Sequence, residues 1–292
     1  MITGQTRLAG VIGFPIAHSL SPIFQNAAFE ALGIDACSLA ISLHEADLED
    51  FLNVATKTNI LGFSVTMPLK TKLASLISCS DRAKRLQAVN SLIWVDRDQV
   101  EVANDYQYIS GDKALIGDNT DGEGFIRSIK EIGVDPNGLD VVVFGAGGAA
   151  RAIISALGEC KANSISIINR SPENAKCAVL LGGEIAHLGS IDDIAGASLI
   201  VNTTPIGMIG NDSSWSFGRD LINNSHVVVD IITSPLTTPL MNIATSNGAK
   251  AINGVGMLIH QGAVAIETWV GQIAPIDVMK KSVEKYFNQK LP

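Results

Sequence analysis

LDVVVFGAGGAARAIISALGEC (139–160) decides the fold. LDVVVF is an apolar run of strand length, preceded by VDPNGLD (134–140), which has the Pro, Asn and Gly of a loop. Such a run reads as a strand buried in a sheet. GAGGAA (145–150) follows with no spacer and opens a helical pattern. Its spacing is G-x-G-x-x-A. Gly145 suits the tight turn, Gly147 permits close approach of a pyrophosphate to the backbone, and Ala150 stands where helix and strand pack. A helix that starts there offers free N–H groups and a positive dipole end to an anion. The glycines alone would also suit an ordinary βα turn. The strand before them and the helix after them make a dinucleotide site the expectation.

Downstream, SISIIN (164–169), ASLIVNTT (197–204) and HVVVDII (226–232) continue the strand series. The residue after the second strand separates NAD from NADP, because a carboxylate there binds the ribose 2′-hydroxyl. This chain has Asn169, Arg170 and Ser171. A guanidinium presents a planar fork of donors suited to a phosphate. NADP is therefore the expected cofactor.

Upstream, strand-like and helical patterns also alternate. LAGVIGF (8–14) reads as a strand, and PIFQNAAFEALG (22–33) as a helix with Pro22 in its first turn and Gly33 past its end. CSLAISL and LGFSVTM read as strands, EADLEDFLNVATKT and PLKTKLASLI as helices. The more polar stretch 94–117 is expected to hold a hairpin or an insertion, and TDGEGFIRSIKEIG (120–133) a helix. The alternation predicts an α/β protein with mostly parallel strands.

Composition narrows the function. The chain has 292 residues and a formal net charge of −8, with no basic cluster, which argues against a nucleic-acid partner. No apolar run reaches the roughly 18 residues of a membrane span. The N-terminal residues read as a strand and a turn rather than a signal peptide. The four cysteines show no CxxC spacing, so neither a zinc site nor a disulfide framework is expected. Buried free thiols in a reducing cytoplasm are the expectation.

The first half carries candidate chemistry. In GFSVTMPLK (62–70), Pro68 suits the start of a helix and puts Lys70 in its first turn, where the dipole opposes an ammonium. Such a lysine is a candidate to pass a proton to a carbonyl oxygen. Asp121 is its candidate carboxylate partner, although a helix cap alone would also explain an Asp there. Ser19 and Ser21 are candidates to bind a carboxylate. Capping of helix 22–33 would account for Ser21 but not Ser19. Asn90, an amide in an apolar run, must find partners in the fold or in a substrate.

Together the motifs resemble the shikimate dehydrogenase family, shikimate/quinate dehydrogenases included. They run in order along nearly the whole chain: GFPIAHSLSP, GFSVTMPLK, AVNSL, GDNTDGEGF, VVVFGAGGAARAI, INRS, VNTTPIGM and GVGMLIHQGA. The resemblance implies two domains, an α/β substrate-binding domain and a Rossmann-type NADP-binding domain. It places the first over 1–120, the second over 121–252, and C-terminal helices (253–292) back on the first. It implies that Ser19 and Ser21 hold the substrate carboxylate, and that Thr66, Asn90, Asp121 and Gln261 bind ring hydroxyls. Lys70 is then the acid/base, with Asp121 beside it. Gly145, Ala146, Gly147, Gly148 and Ala149 would cradle the pyrophosphate. Asn169, Arg170, Ser171 and Asn174 would surround the 2′-phosphate, and Thr203, Ile231, Gly254 and Met257 would lie near the nicotinamide. The implied activity is reduction of 3-dehydroshikimate to shikimate with NADPH, by a monomer or a homodimer.

The chain departs from the family's pattern. Thr233 stands where a substrate-touching Tyr is usual, Ser64 where Asn is frequent, Ile266 where an aromatic is common, and Asn174 where many NADP users have a second Arg. Thr233 leaves quinate or a modified shikimate as an alternative substrate. A silent NADP(H)-binding protein and a folate-linked dehydrogenase are the alternatives from other classes.

Overall fold

The computed structural model describes residues 1–99, 108–211 and 214–290. The chain forms two compact units. Residues 1–120 and 259–292 make the first, and residues 121–258 make the second. The second unit thus extends to Leu258, beyond the boundary at 252 expected from the sequence.

The first unit contains strands β1 (Arg7–Gly13), β2 (Ala36–Ser42), β3 (Ile60–Val65), β4 (Ser91–Asp96), β5 (Ile109–Ser110) and β6 (Lys113–Asp118). Its helices up to residue 120 are α1 (Ser21–Leu32), α2 (Leu48–Ala55), α3 (Leu69–Ala74) and α4 (Asp81–Leu86). The sheet order is β2-β1-β3-β4-β6-β5. β1 runs parallel to β2 and β3, whereas β4, β5 and β6 pair antiparallel. The polar stretch 94–117 supplies the β5–β6 hairpin, and its residues 100–107 lie outside the described residues. β3 is buried at every position, as a central strand covered on both faces must be. Phe63, Leu69, Leu73, Leu92 and Leu115 close the core.

The second unit contains α5 (Asp121–Glu131), β7 (Asp140–Phe144), α6 (Gly148–Glu159), β8 (Ser164–Ile168), α7 (Pro172–Val179), β9 (Ala186–Leu188), β10 (Leu199–Asn202), β11 (Val227–Asp230), α8 (Pro239–Ser246) and β12 (Lys250–Ile252). All six strands are parallel, in the order β12-β11-β10-β7-β8-β9. Alternate residues of β7 serve different cores. Val141 and Val143 join Ile153, Leu157 and Ile165 in one, while Val142 and Phe144 join Ile200, Trp215 and Leu240 in the other. That two-sided burial is why the strand reads as an unbroken apolar run, and each large side chain contributes roughly 1.5–3 kcal/mol. The order reverses where β7 meets β10, the switch point at which open α/β sheets bind ligands beyond the strand carboxyl ends.

Helix α9 (Val255–Val270) begins in the second unit and continues into the first, and α10 (Ile276–Lys290) packs on α1. No helix is long and apolar enough to cross a membrane among the described residues. The four cysteines are free thiols; Cys177 is exposed and the others half-buried. This corrects the expectation of buried thiols: Cys177 lies on an outward position of α7.

Candidate active site

In the first unit Ser19, Ser21, Thr66 and Lys70 follow the carboxyl ends of β1 and β3. β1 ends at Gly13, and the turn beyond it carries Ser19, whose N–H donates to the Ile16 carbonyl at 2.9 Å. The helix α1 starts at Ser21 with no side-chain cap at Leu20. The Ser21 N–H instead donates to Ser19 Oγ at 3.2 Å. The capping alternative thus falls to the other serine: Ser19 braces the helix start, and the buried Ser21 caps nothing.

Thr66 follows β3 directly. Its N–H donates to the Ile12 carbonyl at 3.0 Å, and its carbonyl accepts from Leu69 N–H at 3.0 Å. Lys70 is the second residue of α3, half-buried, in a first turn that holds no acidic side chain. Its carbonyl accepts from Val89 N–H at 2.9 Å, which ties α3 to the segment carrying Asn90.

Asn90 is 2% exposed, and its amide is committed. Asn90 Oδ1 accepts from Thr120 N–H at 2.7 Å. Asn90 Nδ2 donates to Thr120 Oγ1 at 3.0 Å and to Gln261 Oε1 at 3.3 Å. Thr120 Oγ1 in turn donates to the Gln261 carbonyl at 3.0 Å. Thr120 is thus the hub that joins Asn90 to Gln261 on α9, and only its place in GDNTDGEGF hinted at it. Asp121, 4% exposed, follows Thr120 immediately as the first residue of α5.

Two further buried arrangements escaped sequence reading. Arg82 Nε donates to Asp118 Oδ1 at 2.7 Å, and Ser80 Oγ donates to the same oxygen at 2.5 Å. Burial pushes the Asp118 carboxyl up, but the Arg82 and Ser80 hydrogen bonds and the guanidinium charge prevail and hold it below the usual carboxylate range. Gln25 Nε2 donates to Ser64 Oγ at 3.1 Å, and Ser38 Oγ donates to Gln25 Oε1 at 2.5 Å. Ser64 therefore answers a buried glutamine, which gives its departure from the family pattern a partner.

In the second unit, Gly145 follows β7 directly with φ +109°, a conformation that favours glycine. A side chain there would collide with Thr203 Oγ1, which donates to the Phe144 carbonyl at 2.6 Å. A Cβ on Gly147 would meet nothing within 4 Å, so space lies open over the turn. The helix α6 starts at Gly148 with no side-chain cap and no acidic residue in its first turn. These features fit a bound diphosphate. Arg170 is exposed just beyond β8. Ser171 Oγ caps α7 by accepting from Asn174 N–H at 3.4 Å, and Asn169 Nδ2 donates to the Ser171 carbonyl at 2.9 Å. Gly254 N–H donates to the Ile232 carbonyl at 2.9 Å and packs on the Ile231 carbonyl. Met257 is 7% exposed and belongs to the core with Phe125 and Val143. Thr233 is half-buried beyond β11.

A further buried carboxylate sits at that edge. Asp230, at 0% exposure, accepts from Thr238 Oγ1 at 2.6 Å, Asn202 Nδ2 at 3.0 Å and Ile232 N–H at 3.2 Å. Burial pushes its carboxyl up, and these donors offset that only in part.

The family model of the shikimate dehydrogenase substrate binding domain matches residues 11–92. That of the shikimate 5'-dehydrogenase C-terminal domain matches residues 254–284. The shikimate dehydrogenase (NADP(+)) of Geobacter metallireducens is 36% identical, over 97% of both chains. The chain belongs to the shikimate dehydrogenase family. Among solved members, the Listeria monocytogenes shikimate 5-dehydrogenase in complex with shikimate and NAD is 33% identical. It has a TM-score of 0.83 over 97% of this chain and 98% of that one. The Thermus thermophilus shikimate 5-dehydrogenase in complex with NADP(H) and shikimate is 28% identical, with a TM-score of 0.82 over 96% of this chain and 99% of that one.

Proposed function

We propose that this chain is an NADP-dependent shikimate dehydrogenase that reduces 3-dehydroshikimate to shikimate, a step in aromatic amino acid and chorismate biosynthesis. The observation that carries this reading is the combination, in one family member, of a half-buried lysine at the start of α3 with an uncapped, glycine-opened α6. The free thiols support a cytoplasmic location.

Bound NADPH supplies the hydride that the ketone carbon accepts. Lys70 donates a proton to the ketone oxygen as it gains charge, and Asp121 steadies the ammonium and shares its proton. In the reverse direction the neutral amine takes the proton back. Ser19 and Ser21 bind the substrate carboxylate, and Thr66, Asn90, Gln261 and Asp121 bind the ring hydroxyls. The bracing of Asn90 by Thr120 fixes its amide before substrate arrives, which lowers the ordering cost of binding. Gly145 through Ala149 receive the diphosphate on backbone N–H groups. Thr203, Ile231, Gly254 and Met257 form the nicotinamide side. Asn169, Arg170, Ser171 and Asn174 receive the 2′-phosphate; among these only Arg170 brings a positive charge.

A panel of shikimate and quinate with NADP and NAD tests the assignment. Shikimate with NADP should give the highest kcat/KM, and a higher value for quinate with NAD would overturn it. Thr233 motivates the second reading, a quinate or modified-shikimate dehydrogenase, because its hydroxyl reaches less far than the family's Tyr. Thr233→Tyr should lower KM for shikimate about tenfold, as one added hydrogen bond allows. A raised KM would favour the second reading.

A further inference from the structure

The first unit has a recess at the end of the sheet opposite Ser19 and Thr66. Arg7 opens β1 and Ile60 opens β3, and both line it. Six residue steps of β1 separate Arg7 from Gly13, about 20 Å of extended chain. The recess measures about 280 Å³, room for one ring-sized molecule with a short side chain. Two of the chain's three tryptophans, Trp94 and Trp269, stand in its wall. Ser110, Thr58 and Thr268 add hydroxyls.

The walls are held in place. Trp269 Nε1 donates to the Leu92 carbonyl at 3.0 Å, and its indole lies directly on Gly62, where any side chain would collide with it. Trp94 is packed against the core of the unit. The charge inside is positive. Lys113 is already committed to Asp96 at 2.5 Å. Arg7, half-buried, makes one side-chain hydrogen bond among the described residues, from Nη2 to the Ile60 carbonyl at 3.3 Å, and no ion pair. Burial lowers the guanidinium's pKa with no carboxylate to offset it. Four of its five N–H donors thus remain for another acceptor.

From this juxtaposition we propose that the recess is a binding site for a planar aromatic monocarboxylate. The Arg7 guanidinium pairs with the carboxylate in the two-pronged geometry that arginine favours. The ring lies against Trp94 and Trp269, whose faces and edges give offset or edge-on contacts. The site is separate from the one assigned to substrate, and it shares α9 with Gln261, eight residues before Trp269. The proposal does not depend on the catalytic assignment.

Calorimetric titration of the full chain with indole-3-acetate tests it, with tryptamine as the same ring of opposite charge. Indole-3-acetate should bind at one site, with equal affinity in the presence and absence of saturating shikimate, and tryptamine at least tenfold more weakly. Arg7→Gln should weaken indole-3-acetate binding at least tenfold while leaving kcat and KM for shikimate unchanged. If Arg7→Gln does not fold, Trp94→Leu should weaken binding in the same way. Competition by shikimate, equal binding of tryptamine, unweakened binding to the soluble variant, or no binding at all would overturn the proposal.

Discussion

Lys70 owes its position to its neighbours in sequence. Pro68 takes the cap position, so α3 starts at Leu69 and Lys70 falls in the first turn. An ammonium there stands against the dipole, and a merely solvated lysine would gain by lying elsewhere. Lys70→Ala should lower kcat by ~10²–10⁴-fold with little change in the dissociation constant for shikimate, the signature of a lost proton transfer. Steady-state rates together with direct binding measurements check this, and unchanged turnover would remove the assignment. Ser19 shows the limit of reading residues singly. A serine before a helix suggests a cap, but which of two serines braces the backbone depends on the path of the turn between β1 and α1. That path put Ser19 Oγ, not Ser21, against a backbone N–H.

Among the elements, the β7–α6 turn is where local sequence and tertiary packing agree most closely. Gly145 is held at φ +109° with Thr203 against it, so both backbone and space demand glycine. Gly145→Ala should destabilise the second unit by about 1–3 kcal/mol and raise the dissociation constant for NADPH, because the turn aims the α6 N–H groups. Denaturant unfolding and cofactor titration read the two effects separately; native stability with native cofactor affinity would contradict this account. The adjoining edge depends on residues far apart in sequence. Asn202 ends β10 and Asp230 ends β11, and they stand opposite each other in the ladder. One carboxylate thereby ties the end of β10, the segment after β11 and the start of α8, which Thr238 caps. VNTTPIGM and HVVVDII are 18 residues apart as segments, and neither one alone shows that pairing.

For the whole molecule, the Asp118 pair links stability to pH. Its carboxyl is held below the usual range when folded, so its contribution is complete above the unfolded value, about pH 4. That contribution is lost as pH falls through the lower, folded value. Arg82→Ala should therefore cost on the order of 2 kcal/mol at pH 7 and less at pH 3. Denaturant unfolding at both pH values checks this, and an equal loss at both would show that Asp118 is not the group involved. The sequence by itself determined the strands that are apolar throughout, the glycine turn, the helix starts marked by Pro22 and Pro68, and the order of the family's motifs. These are local signals, written in residues that touch or follow one another. It did not show that β4 runs antiparallel to both its neighbours, β3 and β6, because pairing direction is set by how connections cross the fold. Nor did it show Thr120 as the hub for Asn90 and Gln261, Ser64 as the partner of Gln25, or Arg7 beside two indoles. Those groups meet only once the sheet has formed, when each buried polar group must find its partner among residues that the chain keeps far apart.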